Sequence, residues 1–234
     1  MEKILQPGII LVDKPTAVSS HAVVKWARIH SGIEKIGHTG TLDPLATGLL
    51  IILIGKQYTR LQSQYLQQDK EYICTAQLGL TTDSYDICGT VTAQANWDVV
   101  SLITQEAIAQ CLVHFTGKTV QTVPIFSAVK QKGKRLYELA LSGKADSVVL
   151  PSREVTIYAL ELLTFESNQK SKTAYVTFKV SCNSGMYVRS LAHDIGTMLG
   201  VGATVTALRR TKIGALSVDQ AAFCPLILEG QRYK

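Results

Sequence analysis

The chain has 234 residues, of which 46% are hydrophobic, so it has ample material for a buried core in one large domain or two small ones. It carries 24 Lys and Arg against 18 Asp and Glu, a net charge of +6 that is compatible with a polyanionic partner. Its five cysteines are far apart in the sequence, which argues against a zinc cluster or a disulfide framework and is typical of a reducing cytosol.

The N-terminal segment and the apolar runs bear on location. The N-terminus lacks a basic start followed by a long apolar stretch. The longest apolar run, Leu49 to Ile54, is far too short to span a bilayer. We therefore expect a cytoplasmic protein that does not contact a membrane.

The first part of the chain predicts alternating strands and helices. Gly8 to Val12 is typical of a buried strand. Ser19 or Ser20 is a suitable N-cap for a helix that runs to His30 and ends at Gly32. Strands are also predicted for two later segments, Leu49 to Ile54 and Tyr72 to Leu78.

The second part predicts helices and long strands. Thr104 is a suitable cap for a helix with Ile108, Leu112 and Phe115 on one face. Two strands, Arg153 to Phe165 and Thr173 to Cys182, are followed by a helix from Tyr187 to Leu199. Because strands outnumber helices and regular crossovers are lacking, we predict an α+β fold with a mixed, largely antiparallel central sheet flanked by helices. We expect residues 1–234 to form a single domain, because no linker-like segment divides them.

The segment from Gly37 to Leu50 reads GHTGTLDPLATGLL and contains a single carboxylate, Asp43. Its glycines allow the backbone to approach a ligand closely. Pro44 has a fixed φ and favours an extended conformation for the residue before it. The pattern therefore predicts an acid held in place at a turn.

A second informative segment runs from Val180 to Leu191 and contains Arg189 in the first turn of the predicted helix. Ala192 and Ile195 lie on the same helical face, so the guanidinium is expected to point toward the interior or a cleft. A buried guanidinium needs a carboxylate partner.

Together these segments resemble the tRNA pseudouridine-55 synthase family, which isomerises the T-loop uridine of tRNA. The motif Gly-His-Thr-Gly-Thr-Leu-Asp-Pro-Leu-Ala-Thr-Gly resembles the family's catalytic motif. Four further stretches occur in the family's order: Leu11 to Pro15, Asp69 to Tyr72, Pro124 to Lys130, and Ser181 to Leu191. The resemblance covers about residues 8–215 and implies the pseudouridine synthase fold, with no metal or redox cofactor.

The resemblance implies three catalytic residues, Asp43, Arg189 and Tyr72. Asp43 would start the cleavage of the C1′–N1 bond, either by attacking the ribose or by abstracting its 2′ proton, and the sequence leaves both routes open. Arg189 would pair with Asp43, because an opposing charge at contact distance favours the ionised carboxylate. Tyr72 would stack on the detached uracil, although an ordinary strand aromatic is the alternative.

The same resemblance implies substrate-binding residues. His38 would stack into the T loop and occupy the space of the extruded nucleotide, although a histidine at a glycine turn is more often a hydrogen-bonding turn residue. Tyr187 and Leu208 would line the uracil pocket, with helix and strand packing as the alternatives. Lys14 belongs to the first family-like stretch, and we expect it to contact the substrate.

The segment Lys118 to Lys144 is the main candidate for RNA backbone contact. Its cations are Lys118, Lys130, Lys132, Lys134, Arg135 and Lys144, against only Glu138. Such a run is usually a solvated face, but in the family the corresponding insertion clamps the T arm, which places the insertion at about residues 118–150 here. Arg209 and Arg210 would add phosphate contacts, and binding would weaken with salt.

Two departures from the family pattern stand out. Val123, Ile125 and Phe126 occupy positions where the family usually has proline, methionine and tyrosine, and Phe126 lacks the tyrosine hydroxyl. Many bacterial members continue into a small C-terminal RNA-binding domain, which we do not expect as a separate domain here. We therefore predict weaker tRNA affinity with unaltered chemistry.

The sequence supports three functional hypotheses. The first is a monomeric tRNA uridine isomerase that binds the T arm and elbow. The second is an RNA-binding chaperone that folds the tRNA elbow without catalysis. The third is an aspartate-nucleophile hydrolase of small molecules. Asp43, Tyr72 and Arg189 favour the isomerase over a pure binder, and the basic segment favours it over the hydrolase.

Overall fold

The computed structural model describes residues 5–131, 133–143 and 148–223. The chain divides into two compact units. The first comprises residues 5–73 and 207–223, and the second comprises residues 74–206, within the described part of the chain.

Strands and helices are interspersed along the described residues. The first half contains β1 (Gly8–Lys14), α1 (Ser20–Ser31), β2 (Ile36–Thr39), β3 (Thr47–Ile54), α2 (Lys56–Thr59), α3 (Gln62–Leu66), β4 (Lys70–Leu78), β5 (Leu80–Thr82), β6 (Val91–Gln94), α4 (Trp97–Val100) and α5 (Gln105–Phe115). The second half contains β7 (Gly117–Thr122), β8 (Lys130–Gln131), β9 (Lys134–Arg135), α6 (Leu136–Leu141), β10 (Ser152–Asn168), β11 (Thr173–Cys182), α7 (Val188–Met198), β12 (Ala203–Ile213), β13 (Leu216–Ser217), a 3-10 turn (Val218–Gln220) and β14 (Ala222–Phe223).

The first unit is built around β3. Its strands follow the order β14-β1-β3-β12, with β2 antiparallel to β3 and β13 antiparallel to β12. β1 is antiparallel to β3, whereas β12 runs parallel to it. Each residue from Leu49 to Ile54 is fully buried, because β3 has neighbouring strands on both sides and packing on both faces. Gly48, which precedes this buried run, is the second residue of β3.

The second unit has the strand order β4-β11-β10-β7. β10 is antiparallel to both β11 and β7. β11 alternates strictly between buried and partly exposed residues, and its buried face carries Ala174, Val176, Phe178 and Val180. α5 packs against β10 and α7, so this unit has its own helix-covered core.

The predicted α+β class with a largely antiparallel sheet is confirmed, and each of the predicted strands and helices is present. The structure also decides the start of α1, because the hydroxyl of Ser19 accepts from the N–H of Ala22 at 3.1 Å. Gly32 ends that helix with a φ of 67°. One local interpretation was wrong: His38 lies on a strand, β2, and not on a glycine turn, because residues 36–39 pair with β3. Among the described residues, none of the helices is long and apolar enough to span a membrane.

Candidate functional site

The ten residues singled out from the sequence are distributed over both units. The first unit carries Lys14, His38, Asp43, Tyr72, Leu208, Arg209 and Arg210, and the second carries Lys130, Tyr187 and Arg189. Asp43 is half-buried in the loop between β2 and β3.

The loop that carries Asp43 is held by its backbone. The N–H of Ala46 donates to the carbonyl of Asp43 at 3.0 Å, and the N–H of Ala17 donates to the carbonyl of Pro44 at 2.8 Å. The hydroxyl of Thr16 donates to the next carbonyl along the loop at 3.1 Å. Ala17 reaches its acceptor with a φ of 61°, a left-handed conformation that costs about 1–2 kcal/mol for a residue with a Cβ. The strained residue Ala17 is therefore also one that holds the Asp43 loop by a hydrogen bond.

Lys14 is fully buried at the base of the same loop. Its ammonium donates to the carbonyls of Val18 at 2.6 Å, Pro15 at 2.8 Å and Pro44 at 3.4 Å. The dipoles of these carbonyls stabilise the buried cation. In return, the ammonium supplies each carbonyl with a hydrogen-bond donor. The ammonium of Lys14 therefore helps to hold the loop, and the substrate contact predicted for Lys14 remains a prediction.

Arg210 is 1% exposed, and its guanidinium is bonded to backbone carbonyls of the first unit. Its Nε donates to the carbonyl of Leu49 at 2.8 Å, and its Nη2 donates to the carbonyl of Gly40 at 3.0 Å. A Cβ on Gly48 would lie 2.2 Å from the carbonyl oxygen of Arg210, so the close approach of the two strands requires glycine at this position. These hydrogen bonds hold Arg210 within the fold, and the phosphate contact predicted for it remains a prediction.

Arg209 precedes Arg210 on β12, so the two side chains lie on opposite faces of the strand. Arg209 is partly exposed. Its guanidinium donates to both carboxylate oxygens of Asp13, at 3.0 and 2.7 Å. The hydrogen bond to Asp13 raises the pKa of Arg209, so the cation is permanent at any physiological pH. Its exposed side remains accessible to a polyanion.

His38 lies opposite Ile52 in the pairing of β2 with β3. Burial, with smaller effects from Arg210 and His21, lowers the pKa of His38 below its ordinary value of 6.5. The imidazole is therefore neutral at pH 7, and its buried Nδ1 has no hydrogen-bond partner among the described residues. A neutral ring suits stacking on a base better than pairing with a phosphate. The backbone carbonyl of His38 accepts from Gln62 in α3 at 2.9 Å.

Tyr72 and Leu208 are both buried, at 9% and 7% exposure, on β4 and β12. Successive residues of a strand point to opposite faces, so Glu71 lies on the other face from Tyr72. There the carboxylate of Glu71 accepts from the Thr211 hydroxyl at 2.8 Å and from Lys212 at 3.4 Å. These contacts link β4 to β12 on the face opposite to Tyr72.

Arg189 in the second unit is 4% exposed, as the sequence analysis expected for this helical face. It forms an ion pair with Asp86, with Nη1 at 3.6 Å from Oδ2. The guanidinium also donates to the carbonyl of Ser84 at 2.5 Å and to that of Phe126 at 2.9 Å. The backbone of Phe126 thus helps to hold Arg189, a role that does not require the tyrosine hydroxyl.

Asp86 is a candidate functional residue that was not predicted from the sequence. It is 6% exposed, and its second carboxylate oxygen accepts from the Ser84 hydroxyl at 2.8 Å and from the Cys88 N–H at 3.0 Å. The pattern Asp-Ser-Tyr-Asp-Ile-Cys-Gly from Asp83 to Gly89 carried the available signal, namely two acids in a turn-forming stretch. The prediction that Arg189 also pairs with Asp43 remains a prediction.

Tyr187 is the N-cap residue of α7 and is held on two sides. The buried amide of Gln121 accepts from the N–H of Tyr187 at 2.7 Å and donates to its carbonyl at 3.0 Å. The guanidinium of Arg153 lies 5.3 Å from the centre of the Tyr187 ring and donates to the carbonyl of Gly185 at 3.1 Å. The ring is thereby presented in one orientation.

The start of α7 is also packed by titratable side chains. The rings of Tyr85 and His193 stack at 4.0 Å, next in sequence to Asp86 and one helical turn after Arg189. Burial lowers the pKa of His193 and raises that of Asp194 to about 6. Burial also raises the pKa of Tyr85, so both rings of the stack are uncharged at neutral pH.

The basic segment is exposed where the structure describes it. Lys130 lies on β8, which pairs with β9 in a short hairpin. Lys118 and Lys134 are also exposed, whereas Arg135 is engaged with the Tyr137 hydroxyl at 2.8 Å. Two of the predicted cations, Lys132 and Lys144, lie outside the described residues.

The side chains with metal-binding chemistry are dispersed. Within residues 5–131, 133–143 and 148–223, no group of three or more His, Cys, Asp or Glu side chains is placed to hold a metal ion. The two sets of residues supply a positioned carboxylate, an ion-paired guanidinium, aromatic rings and a neutral imidazole.

Comparison with known proteins identifies the relatives of this chain. Residues 28–188 match the TruB family pseudouridylate synthase N-terminal domain, and residues 189–226 match the tRNA pseudouridylate synthase B C-terminal domain. A protein named tRNA pseudouridine synthase B from Protochlamydia amoebophila (strain UWE25) is 44% identical over 213 residues, which cover 91% of this chain and 76% of the relative. A protein of the same name from Clostridium tetani (strain Massachusetts / E88) is 42% identical, covering 92% of this chain and 70% of the relative.

Solved structures show the same relationship. A Cbf5-Nop10-Gar1 complex contains a chain with a TM-score of 0.68 and 30% identity, covering 93% of this chain and 52% of that one. An H/ACA RNP bound to a substrate RNA containing 2′-deoxyuridine gives a TM-score of 0.65 at 28% identity, with 93% and 51% coverage. This chain spans about half the length of those solved chains. The match over residues 28–188 and the identity of 44% show that the chain belongs to the TruB family of pseudouridylate synthases, the family that the sequence resemblance indicates.

Proposed function

We propose that this protein isomerises uridine 55 in the T loop of tRNA to pseudouridine. The observation that carries the proposal is the conjunction of family membership over most of the chain with Asp43 on a loop whose backbone is fixed. Relatives that cover 91% or more of this chain are named tRNA pseudouridine synthase B. The position within the T loop follows from the resemblance of the motif around Asp43.

The first step of the proposed reaction extrudes the target nucleotide. Flipping a stacked base costs a few kcal/mol. His38 offsets part of this cost by stacking in the space that the base leaves. Its lowered pKa supports the assignment, because the neutral ring loses little solvation when it enters the RNA.

The second step breaks the C1′–N1 bond and is started by Asp43. The carboxylate acts either as nucleophile toward the ribose or as base toward its 2′ proton, and both routes need an ionised, oriented acid. We propose that Arg189 favours that ionised form. The ion pair with Asp86 supports this assignment, because it holds the guanidinium in a fixed, buried position.

The third step rotates the uracil and rejoins it through C5. Tyr72, Tyr187 and Leu208 are proposed to line the space in which the detached base turns, since flat apolar walls allow rotation while preventing escape. A C5–C1′ bond forms, the C5 proton is lost, and N1 takes up a proton. Atoms and electrons balance within the substrate, so the reaction is an isomerisation.

The RNA grip is proposed to come from exposed cations. Lys118, Lys130 and Lys134 are exposed, and Arg209 keeps one side open. We propose that residues 118–150 clamp the T arm, and that these cations contact phosphates.

We also propose that one copy of the chain suffices, since it supplies the whole set of catalytic side chains. We propose a cytoplasmic location, because the cysteines are far apart in the sequence, which is typical of a reducing compartment.

The test is tritium release from C5. Unmodified tRNA transcribed with [5-³H]uridine is incubated with the protein, and tritium in water is measured. We expect release of one tritium per tRNA, and none from a matched transcript in which uridine 55 is replaced by cytidine. Binding of tRNA without any release, by well-folded protein, would overturn the isomerase proposal and favour the chaperone. Equal release from both transcripts would overturn the assignment to position 55.

A further inference from the structure

A buried serine hydroxyl contacts the residue immediately before Asp43. Ser20 is 2% exposed, and Leu42 is 3% exposed. The Ser20 hydroxyl donates to the carbonyl of Leu42 at 3.0 Å and accepts from its N–H at 2.8 Å. One side chain thus satisfies both backbone groups of a single buried residue, and we call this pair of hydrogen bonds the Ser20 clasp.

The clasp attaches the Asp43 loop to a rigid element. Ser20 is the first residue of α1, and this helix is anchored in the core by Val23, Val24 and Ala27. Buried N–H and C=O groups without partners are strongly disfavoured, so Leu42 cannot rotate without losing both bonds. The plane of the peptide between Leu42 and Asp43 is therefore tied to the helix.

The clasp is also distinct from helix capping. The N-cap of α1 is the neighbouring Ser19, which is exposed and accepts from the Ala22 N–H at 3.1 Å. Ser20 makes no capping bond to α1 in the described contacts, and both of its bonds reach across 22 positions to the loop. Two adjacent serines thus have separable roles, one in the helix and one in the loop.

From this geometry we propose that Ser20 is a positioning residue for the reaction, acting through Leu42 to hold the Asp43 carboxylate in its reactive orientation. The proposal rests on the proposed function of Asp43. Its physical basis is that a displacement of about 1 Å at a reacting group can lower a rate by about 100-fold. Binding of tRNA uses other residues and is not expected to depend on the clasp.

The test compares Ser20→Ala with Ser19→Ala in the full chain. For Ser20→Ala we expect kcat for tritium release to fall about 10- to 100-fold with KM for tRNA unchanged. For Ser19→Ala we expect an unchanged kcat and a Tm lower by about 2–4 °C through the lost cap. Ser20→Thr retains a hydroxyl and is expected to recover most of kcat. Equal kcat values for the two alanine variants, or a Thr variant that folds but stays as slow as Ser20→Ala, would overturn the proposal.

Hydrogen exchange gives a readout that does not depend on catalysis. The Leu42 N–H donates to Ser20 Oγ, so its exchange is expected to accelerate in Ser20→Ala and to remain slow in Ser19→Ala. If the wild-type protein releases no tritium, the proposed isomerase function fails, while exchange still reports on the clasp. If the wild-type protein is active and exchange at Leu42 is the same in both variants, the positioning role of Ser20 fails alone.

Discussion

The Asp43 loop and the basic segment both carry polar side chains on which the proposed function depends, but they are built in opposite ways. At the Asp43 loop, Lys14 and Ser20 are buried at 0% and 2% exposure and bonded to backbone carbonyls. In the basic segment, Lys130 and Lys134 are exposed on two-residue strands. A carboxylate that must meet one atom of the substrate needs a fixed backbone, whereas phosphate attraction acts over several ångströms and tolerates mobile side chains.

Replacing Asp43 by Asn is expected to have the largest effect. The amide can neither attack the ribose nor accept its proton, so tritium release should fall by at least about 10³-fold, while tRNA affinity changes little. Single-turnover release and filter binding measure the two properties. Asp98→Asn, at an exposed position in α4, is the control and should retain full activity. Substantial release by Asp43→Asn would show that another group starts the reaction.

Lys14→Met tests whether the buried ammonium at the base of the Asp43 loop stabilises the folded protein. We expect the free energy of unfolding to fall by about 1–3 kcal/mol, because buried carbonyls lose their donor. Release should slow, while tRNA affinity and its salt dependence stay unchanged. Urea unfolding, kinetics and filter binding give these quantities, with Lys56→Met at an exposed position as control. A large loss of tRNA affinity with unchanged stability would instead indicate that Lys14 contacts the substrate, as predicted from the sequence.

Lys130→Ala is expected to give the opposite result. Affinity for tRNA should weaken about fivefold, and the slope of log affinity against log salt should decrease by about one. Neither kcat at saturating tRNA nor stability should change, because the side chain is exposed. Binding titrations at several salt concentrations measure the slope. Lys170→Ala, in the exposed turn between β10 and β11, provides the matched control, and an identical loss there would argue against a localised clamp.

Ala17→Gly is expected to have the smallest effect. Glycine adopts positive φ without strain, so relief of the conformation at 61° should raise the free energy of unfolding by up to about 1 kcal/mol after the entropy cost of glycine. Catalysis should be unaffected, since the N–H to Pro44 remains. Urea unfolding checks this sign. Ala107→Gly, within α5, should instead destabilise by about 1 kcal/mol, and destabilisation by both changes would show that Ala17 is unstrained.

Local patterns of the sequence predicted five strands and three helices of the fold, but not its shorter elements or β12. The apolar run from Leu49, the alternation from Tyr72 and the helix after Thr104 each appear where they are predicted. These signals work because side-chain period and end-capping are properties of neighbouring residues. β2 was missed, because a four-residue strand containing glycine has too few side chains to show a period.

Charged residues of the site were less predictable than its motif. The glycine-rich motif and the first turn of α7 identified the family, which the comparisons confirm. The roles of Lys14 and Arg210 were not visible, because a cation bonded to buried carbonyls and a cation facing solvent have the same sequence signature. The pairing of Arg189 with Asp86 joins residues about 100 positions apart, a distance over which no local pattern applies.

The sequence by itself determined several of the main strands and helices, the motif that contains Asp43, and the family that the chain resembles. Only the tertiary structure decided that Ser19 caps α1 while Ser20 holds Leu42, and that Arg210 packs on Gly48 within the sheet. The reason is physical. Secondary structure follows from interactions between near neighbours, whereas the cost of burying a polar group depends on partners that folding brings from distant parts of the chain.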